Sequence, residues 1–510
     1  MPSNFHPIAG GKIQGSAMED GAIVVDEAYV ISDLHLGGEC PFQIFREGDT
    51  LAGWIDGLSD DEPVGRRRAL VINGDFVDFL AEKTPRHFDT EGAVAKLRRI
   101  VSDAAFAPVF AALSRFMARP THLLAITIGN HDVELALPWV RQVLEQVLCA
   151  GQASNMSRLI WSLQGEGLLL RIGSDAGPRI LCVHGNEVDA WNVVDHEAIR
   201  RFARDGLRDK RSMRDYIPNA GSRMVVEVMN GIKQRYPFVD LLKPETQAVI
   251  PTLLAIDASA ASALTALPSI AARQKAAQVR IAAGWLGEDP GPESKPVQDA
   301  HVVRPSRTSE RHAQRLLADQ LLDHAEVELR SGRTAIDVIA TGSPGETLGL
   351  GRAIIAAAQG KGRVEVLRQQ LAELAKDRSF DLSDRDPTYR DLDSRVSTNI
   401  DFLVAGHTHL PRAIEREFGR SYYFNTGTWA RVFRIRQATL ESSAGFDDLY
   451  QSLASGDMSS LDNAPGLEPM RPHFAAFWKD ADGVHGELRT VGATRPVAET
   501  PVPNSRFTRK

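Results

Sequence analysis

Five short apolar runs each end abruptly in a polar cluster, and this pattern constrains the fold more than anything else in the chain. Ala28-Tyr-Val-Ile-Ser32 runs into Asp33-Leu-His35, and Ala69-Leu-Val-Ile-Asn73 into Gly74-Asp75. Leu123–Ile128 runs into Gly129-Asn130-His131-Asp132, Ile180–Val183 into His184-Gly185-Asn186, and Phe402–Ala405 into Gly406-His407-Thr408-His409. Runs of this length, rich in Val, Ile and Leu and bounded by Gly and Asp, read as buried strands. Helical patterns lie between the early ones, as in Glu91–Phe116, where Val94, Leu97, Val101 and Phe106 are apolar. Strands alternating with helices predict an α/β core whose strand ends share one edge, where such folds place their chemistry.

Spacing gives the organisation. Asp33, Asp75, Asn130 and His184 follow one another at 42, 55 and 54 positions, each enough for a connection with helix and the next strand. From His184 to His407 is 223 positions, too long for one crossover, so an insertion interrupts or caps the core. The expected divisions are a flexible N-terminus at 1–25, a first core part at 26–198, a mainly helical insertion at 199–397, a second core part at 398–492 and a disordered Pro-rich tail at 493–510. Within the insertion, Arg363–Asp377 repeats leucine at Leu367, Leu371 and Leu374, and Arg307–Arg330 is similar. Gly287–Ser309, with Pro290, Pro292, Pro296 and Pro305, reads as a linker. Tyr422–Phe424, His473–Trp478 and Val484–Val491 read as further strands, the last two as a hairpin.

The strand-end residues are Asp33, His35, Asp75, Asn130, His131, Asp132, His184, His407 and His409. Taken singly, an Asp after a strand is a turn or cap residue and a His is a surface or core residue. Jointly, imidazole, carboxylate and amide oxygen at one sheet edge form a donor set for Mn²⁺, Fe²⁺ or Zn²⁺. These potential ligands are too many for one ion and suit two ions sharing a carboxylate.

Composition narrows the setting. Hydrophobic residues make up 43% and charged residues 25% of the 510, the balance of a globular protein. The net charge of −7 disfavours nucleic acid as a partner held by bulk charge. Cys40, Cys149 and Cys182 show no CxxC spacing, so a cytoplasmic location is expected. No apolar run is long enough to span a bilayer. Ala-rich Ala248–Ala283 reads as packed helices, with peripheral membrane contact as the alternative, and the oligomeric state is not legible.

Asp33-x-His35, Gly74-Asp75-x-x-Asp78, Gly129-Asn130-His131-Asp132, His184 and Gly406-His407-x-His409 resemble, in this order, the motifs of the calcineurin-like metallophosphoesterases. The resemblance covers roughly Ala28–Asn192 and Asn399–Val491. It implies an α/β fold built as a two-sheet β sandwich flanked by helices, here with a large mainly helical insertion, and a dinuclear centre at the strand ends. One ion would be held by Asp33, His35, Asp75 and His409, and the other by Asp75, Asn130, His184 and His407. Two divalent ions, Mn²⁺ before Fe²⁺ or Zn²⁺, would then activate a hydroxide for hydrolysis of a phosphodiester or pyrophosphate. His131 would act at the phosphoryl or leaving-group oxygen, Asp132 would orient it, and Asp78 would support the bridging loop.

Within the family, Ser32-Asp-Leu-His-Leu36, Gly74–Asp78, Gly406–Pro411 and Asn425–Trp429 look most like the branch of UDP-2,3-diacylglucosamine pyrophosphatases. That branch usually has Arg in place of His131 and Asp in place of Asn186, so the lipid substrate is not carried over. The alternatives are a nuclease, a phosphomonoesterase or phosphoprotein phosphatase, and a scaffold that has lost the chemistry. A basic run at Arg200, Arg201, Arg204, Arg208, Lys210, Arg211 and Arg214 is either a solvated helix face or a wall for a phosphate-rich substrate. Arg200 and Arg204, with Asp189 and His196, are the candidate substrate contacts. Gly345–Gly351 lacks a phosphate-loop Lys and reads as a loop.

Overall fold

A computed structural model of the chain describes residues 21–60, 65–189, 192–208, 218–243, 363–374, 379–417, 420–492 and 497–510, with Thr252 and Ile256 besides. Apart from those two, Ala248–Ala283 lies outside the described residues, as do Gly287–Ser309, Arg307–Arg330, Gly345–Gly351 and the basic positions Lys210, Arg211 and Arg214.

The apolar runs form the strands expected of them. One sheet orders β15 (Glu499–Pro501), β14 (Gly483–Val491), β13 (His473–Asp480), β2 (Glu27–Ile31), β3 (Arg68–Asn73), β4 (His122–Thr127) and β5 (Leu159–Ser162), with β16 (Phe507–Arg509) also on β14. The other orders β1 (Ile23–Val25), β6 (Leu168–Ile172), β7 (Arg179–Cys182), β8 (Phe402–Ala405), β10 (Tyr422–Thr426) and β9 (Pro411–Glu415). A separate pair joins β11 (Phe433–Ile435) to β12 (Leu467–Pro469).

Strand alternation then builds the layers. Ala28, Val30, Ala69, Val71 and Ala125 of the first sheet meet Leu170, Ile180, Val404 and Phe424 of the second, which makes a sandwich core. Ile31, Leu70, Ile72, Leu124 and Ile126 point the other way, onto α1 (Gly48–Asp60), α2 (Ala93–Ser102), α3 (Ala107–Ala118) and α4 (Pro138–Leu148). The outer face of the second sheet is covered by helix Pro387–Arg395 through Tyr389 and Leu392. Two sheets flanked by helices match the architecture that the resemblance implies.

The helical pattern of Glu91–Phe116 forms two helices, α2 and α3, bent by 89°. Pro108 falls in the first turn of α3, and the Asp103 carboxylate accepts the Ala105 amide between them. The N-terminus is not flexible as far as residue 25, because Ile23–Val25 pairs parallel to Leu170–Ile172. Nor is the tail disordered where described. Phe507 stacks on Tyr422 at 4.4 Å, Arg509 pairs with Asp401, and the buried Ser505 hydroxyl donates to the Leu488 carbonyl. Proline discourages a central strand but not these short edge strands.

Described parts of the insertion share a second small core with the stretch between β11 and β12. Ile232, Phe238, Leu241 and Leu242 pack with Leu367 and Leu371 against Phe433, Phe446, Leu449 and Leu461. No single described helix is long and apolar enough to cross a membrane.

Candidate active site and metal centre

Strand register brings the polar clusters together. In the first sheet Ile31 is level with Ile72 and Ile72 with Ile126, all parallel. Asp33, Asp75 and Asn130 therefore leave the sheet two, three and four residues later at the same edge. In the second sheet Cys182 is level with Val404, which delivers His184 and His407 likewise. The loops zip to one another: the Asp33 amide donates to Gly74 O at 3.1 Å, the His35 amide to Asp75 O at 2.9 Å and the Gly406 amide to His184 O at 2.8 Å.

This convergence forces unusual backbone. Asp33, His35, Asp75, His407 and His409 all have φ between 49° and 68°, a region that L-residues other than Gly, Asn and Asp rarely enter. Each such residue costs on the order of 1–3 kcal/mol and persists only where its surroundings dictate it, as at functional sites. Five of the eight described non-glycine residues with positive φ are candidate ligands.

Asp75 is the hub. Its Oδ2 lies 3.2 Å from His184 Nε2 and 3.7 Å from His35 Nε2, and its Oδ1 accepts the His131 amide at 2.9 Å. Asp33 Oδ1 lies 3.4 Å from His409 Nε2, and the ring nitrogens His35 Nε2 and His409 Nε2 face each other at 3.1 Å. Three groups place their donor atoms within 4.8 Å: Asp33, His35 and His409; Asp33, Asp75 and His184; and His35, Asp75 and His131. His407 belongs to none of them. Its amide donates to Asp33 and its Nε2 faces Asp189 Oδ2 at 2.8 Å.

The donor set fits divalent cations. Asn130 Oδ1 and His184 Nε2 are buried without a hydrogen-bond partner, which is costly unless a cation serves them. A Cβ on Gly129 would come within 2.2 Å of Asp75 Oδ1, and one on Gly406 within 2.4 Å of Asp33 Oδ2, so both glycines keep the cradle open. The electrostatics agree. Burial alone would raise Asp75, yet His184, His131 and His35 hold its carboxyl well below the usual range. Burial alone would lower His184, but Asp75 and Asp33 raise it to about 10. A divalent ion would occupy that negative field and release the imidazole proton on binding. His184 Nδ1 already donates to Asn73 O at 2.9 Å, which leaves Nε2 to face the carboxylates.

Gly129→Ala is expected to weaken divalent-ion binding at least about tenfold, the scale on which disturbed metal sites lose affinity. A binding titration with an unchanged midpoint would contradict the fit.

Not every expected role holds. Asp132 does not orient His131, because its oxygens accept the Phe76 amide at 2.8 Å and the Gly129 amide at 2.7 Å and so brace the loop. Burial and Asp75 raise its carboxyl. Asp78 takes the orienting place instead: Oδ2 accepts from His131 Nδ1 at 3.1 Å and from His35 Nδ1 at 3.2 Å. Burial opposes a charged His131, but Asp78 and Asp75 raise it to about 9. Arg200 and Arg204 are exposed and pair with Glu197 and Asp205 on their own helix, α6 (His196–Leu207). No described contact joins them to the cluster. His196 is half-buried against Gly165, and desolvation lowers its pKa. Asp189 alone of the four expected substrate contacts reaches the cluster, through His407.

Sequence reasoning passed over Asn73 and Asn192; it brought Asn425–Thr428 near the site through backbone amides, whereas it is the Thr428 hydroxyl that donates to Asp33 O at 2.7 Å. It also passed over Glu134, whose Oε1 accepts the Asp89 amide at 2.9 Å while Oε2 is buried without a hydrogen-bond partner. Burial pushes the Glu134 carboxyl up to about 7. A raised carboxyl stabilises the fold fully below its unfolded pKa, and that stability is lost as pH rises toward 7, roughly 3 kcal/mol in all. Glu134→Gln should therefore gain stability relative to the parent between pH 5 and pH 8. Parallel melting curves for the two proteins at both pH values would contradict this.

A cavity of about 1020 Å³ lies at the opposite edge, toward the starts of β2 and β3, among Tyr29, Trp54, Arg68, Arg115, Arg489 and Glu499. Its arginines are paired with Glu27, Asp56, Glu487 and Glu499, so the chemistry belongs to the strand ends instead.

No curated protein matches this chain. The family model of the calcineurin-like phosphoesterases matches residues 28–226, from β2 past His184, and stops short of His407 and His409. With that match on the sandwich and its cation-fitting edge, residues 28–226 are a calcineurin-like phosphoesterase domain, which indicates a metallophosphoesterase, a metal-dependent hydrolase of phosphoesters.

Proposed function

We propose that this chain hydrolyses phosphodiester or pyrophosphate bonds with two divalent ions, Mn²⁺ foremost and Fe²⁺ or Zn²⁺ suited to the same donors. The observation that carries the reading is the position of Asp75 between His184 at 3.2 Å and His35 at 3.7 Å, where one carboxylate serves two clusters. Asp33, His35, Asp75 and His409 would hold one ion, and Asp75, Asn130, His184 and His407 the other. Such a pair supplies charge neutralisation at phosphorus and water activation near neutral pH. His131, steered by Asp78, stands at the rim of the cluster with its side chain 18% exposed, and it donates a proton to the departing oxygen. Asp132 keeps the loop that carries it closed.

The preference for diesters or pyrophosphates rests on the likeness of Ser32–Leu36, Gly74–Asp78, Gly406–Pro411 and Asn425–Trp429 to the diacylglucosamine pyrophosphatase branch. Rates on bis(p-nitrophenyl) phosphate, p-nitrophenyl phosphate and a nucleotide–sugar pyrophosphate, each with Mn²⁺, test it. Diester or pyrophosphate cleavage should lead. A monoester preference would move the protein to the phosphatase reading.

A further inference from the structure

The loop after His184 reaches both sheets through two side chains. Asp189 Oδ2 lies 2.8 Å from His407 Nε2, beyond β8 of the second sheet. The same oxygen accepts Asn192 Nδ2 at 2.7 Å. Asn192 Oδ1 in turn accepts Asn130 Nδ2 at 3.3 Å, beyond β4 of the first sheet. The Asn192 backbone is fixed as well, since its amide donates to Asp189 O at 3.0 Å and its carbonyl accepts from Asn186 Nδ2 at 3.0 Å.

Donor logic runs along this chain in one direction. An ionised carboxylate only accepts, so His407 Nε2 carries the proton and Nδ1 keeps the lone pair. Asn192 must turn its NH₂ toward Asp189, which leaves its Oδ1 for Asn130. Asn130 then spends its NH₂ on Asn192 and is left with Oδ1, the atom that is buried without a hydrogen-bond partner. An Nδ1 lone pair and an unpartnered Oδ1 are what imidazole and amide offer a cation.

We propose that Asp189 and Asn192 form a clamp that sets the metal-facing atoms of His407 and Asn130, two residues brought from opposite sheets to one ion. Asp189 is thus a positioning residue and not a substrate contact. The inference rests on the two-ion reading above.

Mn²⁺ binding isotherms of the full chain test it, for the parent, Asp189→Ala, Asn192→Ala and the double variant, each checked by circular dichroism. In each single variant one of the two binding steps should weaken by about 10–100-fold, the range for groups that orient a ligand, while the other step stays put. Because Asp189 acts partly through Asn192, the double variant should lose less than the product of the two. Lost turnover should return as Mn²⁺ is raised, with KM for bis(p-nitrophenyl) phosphate unchanged. Should Asp189→Ala fail to fold, Asn192→Ala carries the test alone. Unchanged isotherms with a raised KM would overturn the clamp and make these residues substrate contacts. A parent chain that binds no Mn²⁺ would overturn the two-ion reading itself, and the clamp with it.

Discussion

Asp75→Asn is expected to bind divalent ions poorly and to lose about 10³-fold or more in turnover, while keeping its fold. Asp75 is buried at the meeting point of His35, His184 and the His131 amide. An amide there removes the negative charge and turns one acceptor atom into a donor facing His184 Nε2. A metal centre contributes several kcal/mol to stabilising charge at phosphorus, and each 1.36 kcal/mol is tenfold in rate. Bound metal measured by elemental analysis, together with kcat, checks the prediction. A variant that retains two ions and a tenth of the parent activity would remove Asp75 from the centre of the account.

His131→Ala should show the opposite signature. Turnover should fall by about 10²–10⁴-fold, the usual contribution of a proton-transferring side chain, with metal content unchanged. The geometry makes this a sharp test, because His131 shares a donor cluster with His35 and Asp75 and could in principle serve as a ligand. Its Nδ1 is engaged by Asp78, which also steers His35, so Asp78→Asn should lower turnover too by loosening both rings. Metal lost from His131→Ala in proportion to activity would make His131 a ligand.

The strands were legible because Ala28–Ile31, Ala69–Ile72 and Leu124–Ile126 are apolar on both faces and end in Asp, Gly or Asn. Parallel register then placed Asp33, Asp75 and Asn130 at one edge with no further information needed. Partnerships between distant side chains were not legible. Asp132 follows His131 directly, which suggested that it orients the ring, but the loop turns its carboxylate back onto the Phe76 and Gly129 amides. Asp78, 53 positions away, does the work because Asp78 N is drawn to Leu36 O beside the ring. Of the two readings of the basic run, Arg200 and Arg204 on α6 take the solvated helix face for a local reason: Glu197 and Asp205 sit within reach of them. The tail failed because proline content describes the chain alone, while Tyr422 and Asp401, more than 80 positions upstream, supply the partners that order it.

The most direct test of the account strips the protein with a chelator and adds Mn²⁺ back while bound metal and bis(p-nitrophenyl) phosphate hydrolysis are followed together. The stripped protein should show no hydrolysis, bind two ions per chain and gain activity as the second ion is taken up. Hydrolysis that survives chelation, or a chain that stays inactive with two ions bound, would contradict the account.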